Sequence, residues 1–74
     1  MDVTTKLQNE VSSIAERVEK GNRATWSIAN TWDADFWAHR HTMMNTLRER
    51  GYNVSSSVNW GVVDYVITKE VKLS

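Results

Sequence analysis

The chain has 74 residues, no cysteine and no proline, and its nine Lys and Arg residues balance nine Asp and Glu residues to a formal net charge of zero. This length predicts one domain over residues 1–74, and the lack of cysteine excludes disulfides and thiolate metal sites. A zero net charge disfavours a general nucleic-acid binder, because such proteins usually carry a basic excess that neutralises phosphates.

The small size also predicts self-association. A chain of this length buries only about 60% of the surface that its unfolded state exposes, which leaves a monomer marginally stable. Small domains compensate with disulfides, bound metals or the association of several copies. Because cysteine is absent, a homo-oligomer is the expected support.

Residues 3–20 predict an amphipathic helix. Its apolar residues recur at steps of four and three and therefore share one face: Val3, Leu7, Val11, Ile14 and Val18. Gly21 is the expected C-cap of this helix. The same spacing fits a short coiled-coil seam, although we expect the apolar face to pack on the protein's own sheet.

Residues 23–30 favour a short strand, because Ala24, Trp26 and Ile28 alternate with smaller residues. The start of a longer helix is the alternative interpretation of this segment. Thr, Trp and Ile fit a pleated surface better than a helix, so the strand is preferred.

Residues 33–50 predict a second helix with a defined start. Asp33 is a good N-cap residue. With this cap, Trp32 and Trp37 have the N′ and N4 spacing of a hydrophobic staple. Gly51 is expected to end the helix.

Two further runs predict a β-hairpin. Residues 52–58 alternate in polarity as a strand with two different faces does. Residues 59–61 supply the turn. Residues 62–72 predict a longer strand with these apolar residues in phase: Val63, Tyr65, Ile67, Val71 and Leu73.

The element order predicts a small α+β domain, α-β-α-β-β, with both helices on one face of a three-stranded sheet and a C-terminal hairpin. The first strand, second helix and second strand form a right-handed crossover if the two strands are parallel. The second sheet face carries Ser, Asn and Thr with Val62 and Val66. Such a sheet has open edges that a partner or a second copy can cover.

Four tryptophans in this short chain provide more indole than its core needs, and tryptophan is enriched where proteins bind other molecules. Trp60, at the predicted hairpin tip, either folds back in phase with Tyr52 and Val58 or stays exposed as a contact residue. Trp and Arg commonly anchor interfaces, and they also stack on bases and pair with phosphate. The candidate binding residues are Trp60, Trp32, Arg40, His39 and Arg23.

No pattern in the chain predicts catalysis or a metal site. His39 and His41 are two apart on a predicted helix, so they point in different directions and do not chelate one ion. Asp35 and His39 share a face, but zinc takes three or four protein ligands. The serines at 55–57 lack the elbow motif of a nucleophile. We therefore expect a non-enzymatic protein without a cofactor.

The chain start and the hydropathy pattern predict a cytoplasmic protein. The first ten residues, MDVTTKLQNE, lack the basic start and apolar run of a signal peptide. No stretch approaches the roughly 20 apolar residues of a membrane span, so we expect no membrane contact.

The run IAERVEKG, followed by a second helix that ends in LRERGYNV and leads into a hairpin, resembles small bacteriophage-encoded accessory proteins of α/β build. The resemblance covers roughly residues 14–70. It implies a protein that inhibits a host enzyme, blocks a defence system or sequesters a signalling nucleotide. It transfers no functional residue to this chain.

The composition, the tryptophans and the resemblance together predict a small, self-associating binding protein. It is expected to act stoichiometrically, on a host protein or on a nucleotide-like ligand held at an oligomer interface. The alternative is a nucleic-acid-binding regulator of winged-helix type, because a helix followed by a hairpin resembles a recognition helix and its wing.

Overall fold

The computed structural model describes residues 2–69, in which two helices pack on one face of a three-stranded sheet. The elements in chain order are α1 (Val3–Gly21), β1 (Arg23–Ala29), α2 (Ala34–Glu49), β2 (Tyr52–Asn59) and β3 (Val62–Lys69). The predicted α+β fold is confirmed, and the segment predicted over residues 23–30 forms the preferred strand, β1 (Arg23–Ala29), rather than the alternative helix.

The first helix begins as its sequence suggests but ends one residue later than predicted. The Asp2 carboxylate accepts hydrogen bonds from the amides of Thr4 at 2.6 Å and Thr5 at 3.3 Å, which makes it the N-cap. The predicted C-cap at Gly21 is wrong. Asn22 takes the left-handed conformation at φ 65°, and its amide donates to the Val18 carbonyl at 2.7 Å. Asparagine tolerates this conformation better than most residues, so it serves where glycine was expected.

The second helix has the predicted N-cap. Asp33 Oδ1 accepts hydrogen bonds from the amides of Asp35 at 3.0 Å and Phe36 at 3.1 Å. Trp32 keeps 61% of its surface exposed, which is not the packed arrangement that a staple with Trp37 requires. At the other end Arg50 is the C-cap, and the following Gly51 takes a positive φ of 95°.

The strand order is β1-β3-β2, and β3 pairs antiparallel with both neighbours. β1 and β2 therefore run parallel to each other, as the crossover prediction required, but β3 lies between them. The structure describes β3 as far as Lys69. The predicted continuation through Val71 and Leu73 lies outside the described residues.

One core cluster joins both helices to the inner face of the sheet. Trp26 belongs to this cluster, with 9% of its surface exposed. Its ring makes an edge contact with Phe36 and a tilted contact with Tyr65, with centroid distances of 5.8 Å in both cases. The side chains buried most completely are Ile14, Val18, Met43, Met44, Leu47 and Ile67.

The outer face of the sheet is polar, in line with the alternation of the three strands. Asp64 lies in its middle strand, where its carboxylate accepts hydrogen bonds from the Ser27 hydroxyl and from Asn59 Nδ2 at 3.5 Å. Ser55 and Ser57 on β2 are exposed. Polar cross-strand contacts thus replace a second apolar layer on this face.

Candidate functional site

The hairpin between β2 and β3 closes with a two-residue turn. Asn59 pairs directly with Val62, so the loop consists of Trp60 and Gly61. Both take positive φ values, 54° and 79° respectively, which is the pattern of a type I′ turn. Asn, Asp or Gly normally occupies the first loop position, and a bulky side chain is an outlier there.

The Trp60 side chain contributes nothing to the core, because its relative exposure is 101%. The interpretation in which it folds back in phase with Tyr52 and Val58 is therefore wrong. The backbone reason is the turn, which removes Trp60 from the strand alternation. A large apolar side chain is thus held in water at a backbone position that disfavours it.

Trp32 projects from the same end of the sheet as Trp60. Ala29 at the end of β1 pairs with Val62 at the start of β3, and the Trp32 amide donates to the Ala29 carbonyl at 3.1 Å. Val58, opposite Val63 on β3, is 69% exposed near this end. We call Trp32 and Trp60 the tryptophan end.

An ion pair ties the first helix to the start of the second beside the tryptophan end. Lys6 Nζ lies 2.8 Å from Asp33 Oδ2 and 3.4 Å from Asp35 Oδ2. The hydrogen bond from Lys6, followed by that from the Phe36 amide, lowers the pKa of Asp33. The hydrogen bond to Asp33 raises the pKa of Lys6 above its ordinary value. Two carboxylates share one ammonium group, so this region carries an excess of negative charge.

Arg40 is engaged within its own helix. Its guanidinium lies 3.9 Å from the centroid of the Trp37 ring and donates to the Trp37 carbonyl. A cation stacked on an indole face is stabilised by the ring quadrupole. The sequence predicted Arg40 as a binding residue, and the structure gives it an internal partner on α2.

His39 lines a groove between the two helices rather than the tryptophan end. The groove has a volume of about 340 Å³, at the lower end of the range for small-molecule sites. Its apolar walls come from Val3, Leu7 and Val11 on α1 and from Met43 on α2. No local sequence pattern predicts this groove, because its walls meet only when two helices that are distant in the chain pack together.

Arg23 lies at the opposite end of the sheet from Trp60. It pairs with Thr68 in the β1–β3 ladder, six positions along β1 from the Ala29–Val62 pair. The five predicted binding residues therefore do not form one site within a single chain. Trp60 and Trp32 lie at one end, Arg40 and His39 lie along α2, and Arg23 lies at the far end.

A second polar cluster fixes Tyr52 at the far end. The Tyr52 hydroxyl donates to Glu19 Oε1 at 2.8 Å, and Lys69 Nζ lies 3.1 Å from Glu19 Oε2. The hydrogen bond from Tyr52 and the contact with Lys69 lower the pKa of Glu19. The same bond raises the pKa of Tyr52. The Tyr52 ring itself packs against the core, so its position on β2 is defined from both sides.

The described part of the chain offers no assembled reactive centre. Within residues 2–69, no three His, Asp or Glu side chains converge as metal ligands would. No buried side-chain nitrogen or oxygen in the same range lacks a hydrogen-bond partner. Neither of the described helices combines the length and apolar character needed to cross a bilayer.

Comparisons with known proteins give no relative for this chain. No protein-family model matches it, and neither the curated proteins nor the solved structures contain a match.

Proposed function

We propose that this protein is a small non-enzymatic binding protein that docks its tryptophan end onto another protein. The observation that carries the proposal is Trp60, which is fully exposed at φ 54° in a two-residue turn. Strained, exposed positions of this kind persist where they serve function. Tryptophan is also the residue type most enriched among the energetic centres of protein interfaces.

The charge around this end indicates the chemistry of the partner. Asp33 and Asp35 share Lys6 near Trp32, and Asp64 follows the hairpin turn on β3. A matching surface has an apolar pocket for the indole and basic side chains around it. Exposed tryptophans also occur at membrane interfaces, but an acidic surface is repelled by anionic lipids.

The proposed mode of action is stoichiometric: the protein occupies a surface of its partner. Occupation of a partner's surface needs an anchor and a complementary rim, both of which the tryptophan end supplies. A blocker of a host protein is also what the resemblance to phage accessory proteins implies. The nucleotide-like ligand and the winged-helix regulator stay predictions, and the remote position of Arg23 within one chain gives neither any support.

The test compares wild-type protein with Trp60→Asn and with Val3→Asn as a matched control. Val3 is also an exposed apolar residue, but it lies on α1 outside the tryptophan end. Each immobilised protein is incubated with bacterial lysate, and the retained proteins are quantified by mass spectrometry. We expect a protein that wild type and Val3→Asn retain and Trp60→Asn loses. The same retained set for all three proteins contradicts the proposal.

A further inference from the structure

The free edge of β2 lacks the features that usually protect the edge of a sheet. β2 pairs only with β3 and forms one border of the sheet. Its eight residues, YNVSSSVN, include no charged side chain and no proline, and its register with β3 runs without a bulge. Monomeric proteins usually place Lys, Pro or a bulge on such an edge to prevent strand addition.

The hairpin geometry shows which backbone groups of β2 face outwards. In a two-residue hairpin the closing residues, here Asn59 and Val62, form a hydrogen-bonded pair. Because hydrogen-bonded and non-hydrogen-bonded pairs alternate along an antiparallel ladder, every second residue of β2 directs its N–H and C=O away from β3. These residues are Tyr52, Val54, Ser56 and Val58.

The side of β2 that faces the helices is packed against the core at one end of the strand and exposed to solvent at the other. Tyr52 and Val54 pack against the core, whereas Val58 is 69% exposed. All three lie on the side of the sheet that faces the helices, since Val54 and Val58 pair with the buried Ile67 and Val63. When the β2 strands of two copies pair antiparallel, the exposed Val58 end of one strand lies beside the Tyr52 end of the other, which packs against its core.

We propose that two copies of this chain form a dimer by pairing their β2 strands antiparallel around a two-fold axis at Ser55. Such an axis is perpendicular to the sheet and places the helices of both copies on the same face. Val58 then lies opposite Tyr52 of the second copy, an aromatic and β-branched pair of the kind that stabilises sheets. The two sheets become one six-stranded sheet, and β2 places no charged side chain at the contact between the two copies.

This dimer goes beyond the proposed function and does not depend on it. Trp60 lies outside the paired segment Tyr52–Val58, so the hairpin tip stays free to bind a partner. Because the paired strands are antiparallel, the two hairpin tips lie at opposite ends of the joint sheet. The dimer therefore presents two tryptophan ends that face away from each other.

Single-cysteine variants test the register, because the natural chain has no cysteine. At the axis, Ser55 of the two copies forms a non-hydrogen-bonded pair with Cα atoms about 4.5 Å apart, within the range of a disulfide. The Cα atoms of Ser56 in the two copies are offset by two residues along the strands and therefore lie ~8 Å apart. We expect Ser55→Cys to form a disulfide dimer under mild oxidation and Ser56→Cys to remain largely uncrosslinked. Equal crosslinking of both variants, or crosslinking of Ser56→Cys alone, overturns the proposed pairing.

Sedimentation of cysteine-free proteins tests the dimer itself. Val58→Lys places a charge at the contact between the two copies while changing an exposed position of the monomer, so we expect the dimer dissociation constant to rise by about tenfold or more. Trp60→Asn serves as the control and is expected to leave the dimer unchanged. A monomeric wild type overturns this inference but leaves the proposed function intact. Normal dimerisation of Trp60→Asn with unchanged partner retention overturns only the proposed function.

Discussion

At the scale of single residues, the backbone conformation of Trp60 lowers the stability of the fold, while its exposed side chain is proposed to bind a partner. An L-residue in the left-handed conformation costs roughly 1–2 kcal/mol relative to the right-handed one, and asparagine bears this conformation more easily. We therefore expect Trp60→Asn to raise the free energy of unfolding by about 0.5–1 kcal/mol, because it places Asn-Gly in a type I′ turn. Urea denaturation measures the change.

The companion variant Trp60→Ala separates backbone strain from side-chain loss. Alanine removes the indole but keeps the penalty of a positive φ, so its stability is expected to stay near that of wild type. A destabilised Trp60→Asn protein contradicts the turn assignment. A stabilised variant that also loses its binding partner shows that the loss is not caused by unfolding.

A second prediction at this scale concerns Asp33 and pH. The pKa of Asp33 is lowered mainly by Lys6, with Asp35 sharing the same ammonium group. The unfolded chain therefore takes up a proton at a higher pH than the folded chain, and stability is lost as pH falls through the folded pKa. We expect wild type to exceed Asp33→Asn in stability at neutral pH and the difference to shrink in acid.

Asparagine keeps the N-cap acceptor of Asp33, so the Asp33→Asn comparison isolates the charge. Thermal denaturation of both proteins from neutral to acidic pH gives the result. A difference that stays constant, or that grows in acid, shows that the ion pair with Lys6 contributes nothing to folding.

Local signals decided which residues could be predicted from the sequence. The cap at Asp33 was predictable, because capping depends on a side chain two or three residues from the amides that it binds. The cap at Asn22 was missed, because glycine preceded it and satisfied the same pattern. The exposure of Trp60 could not be decided, because the exact turn length determines whether residue 60 stays in the strand alternation.

At the scale of elements, the alternation of β2 makes adjacent residues unequal. Ser55 directs its N–H towards β3, whereas Ser56 directs its N–H away from it, as the hairpin register requires. Proline removes that donor. For the monomeric chain, at protein concentrations below the dimer dissociation constant, we expect Ser55→Pro to lose roughly 1 kcal/mol or more of stability and Ser56→Pro to lose clearly less. Chemical denaturation of the two variants, both at exposed serines, makes the comparison direct.

The same pair of variants bears on the assignment of the free edge. If Ser56→Pro is the more damaging change, β2 has the opposite alternation and its outward groups belong to other residues. In that case the pairing of two copies about Ser55 loses its basis as well.

The elements themselves were predictable because their periodicity is local, but their arrangement was not. Each helix and strand shows its own spacing of apolar residues within fewer than 20 positions. The pairing of β1 with β3 joins residues such as Arg23 and Thr68, which no local pattern relates. The groove beside His39 has the same origin, because it depends on how α1 and α2 pack.

At the scale of the whole molecule, stability depends on one small core. Leu47 is completely buried and belongs to the cluster that joins α2 to the sheet. Leu→Ala changes at such sites cost about 2–5 kcal/mol, while small domains have little more than that in total. We expect Leu47→Ala to be largely unfolded at room temperature, as measured by circular dichroism, whereas Val58→Ala at an exposed position stays folded. A folded Leu47→Ala protein contradicts the single-core description.

The position of β3 has a consequence for how the chain is made. β3 is the central strand of the sheet, yet it follows both β1 and β2 in the sequence. During synthesis on the ribosome, β1 and β2 emerge before β3, the strand that hydrogen-bonds to both of them. The sheet therefore cannot be completed until this last strand has emerged.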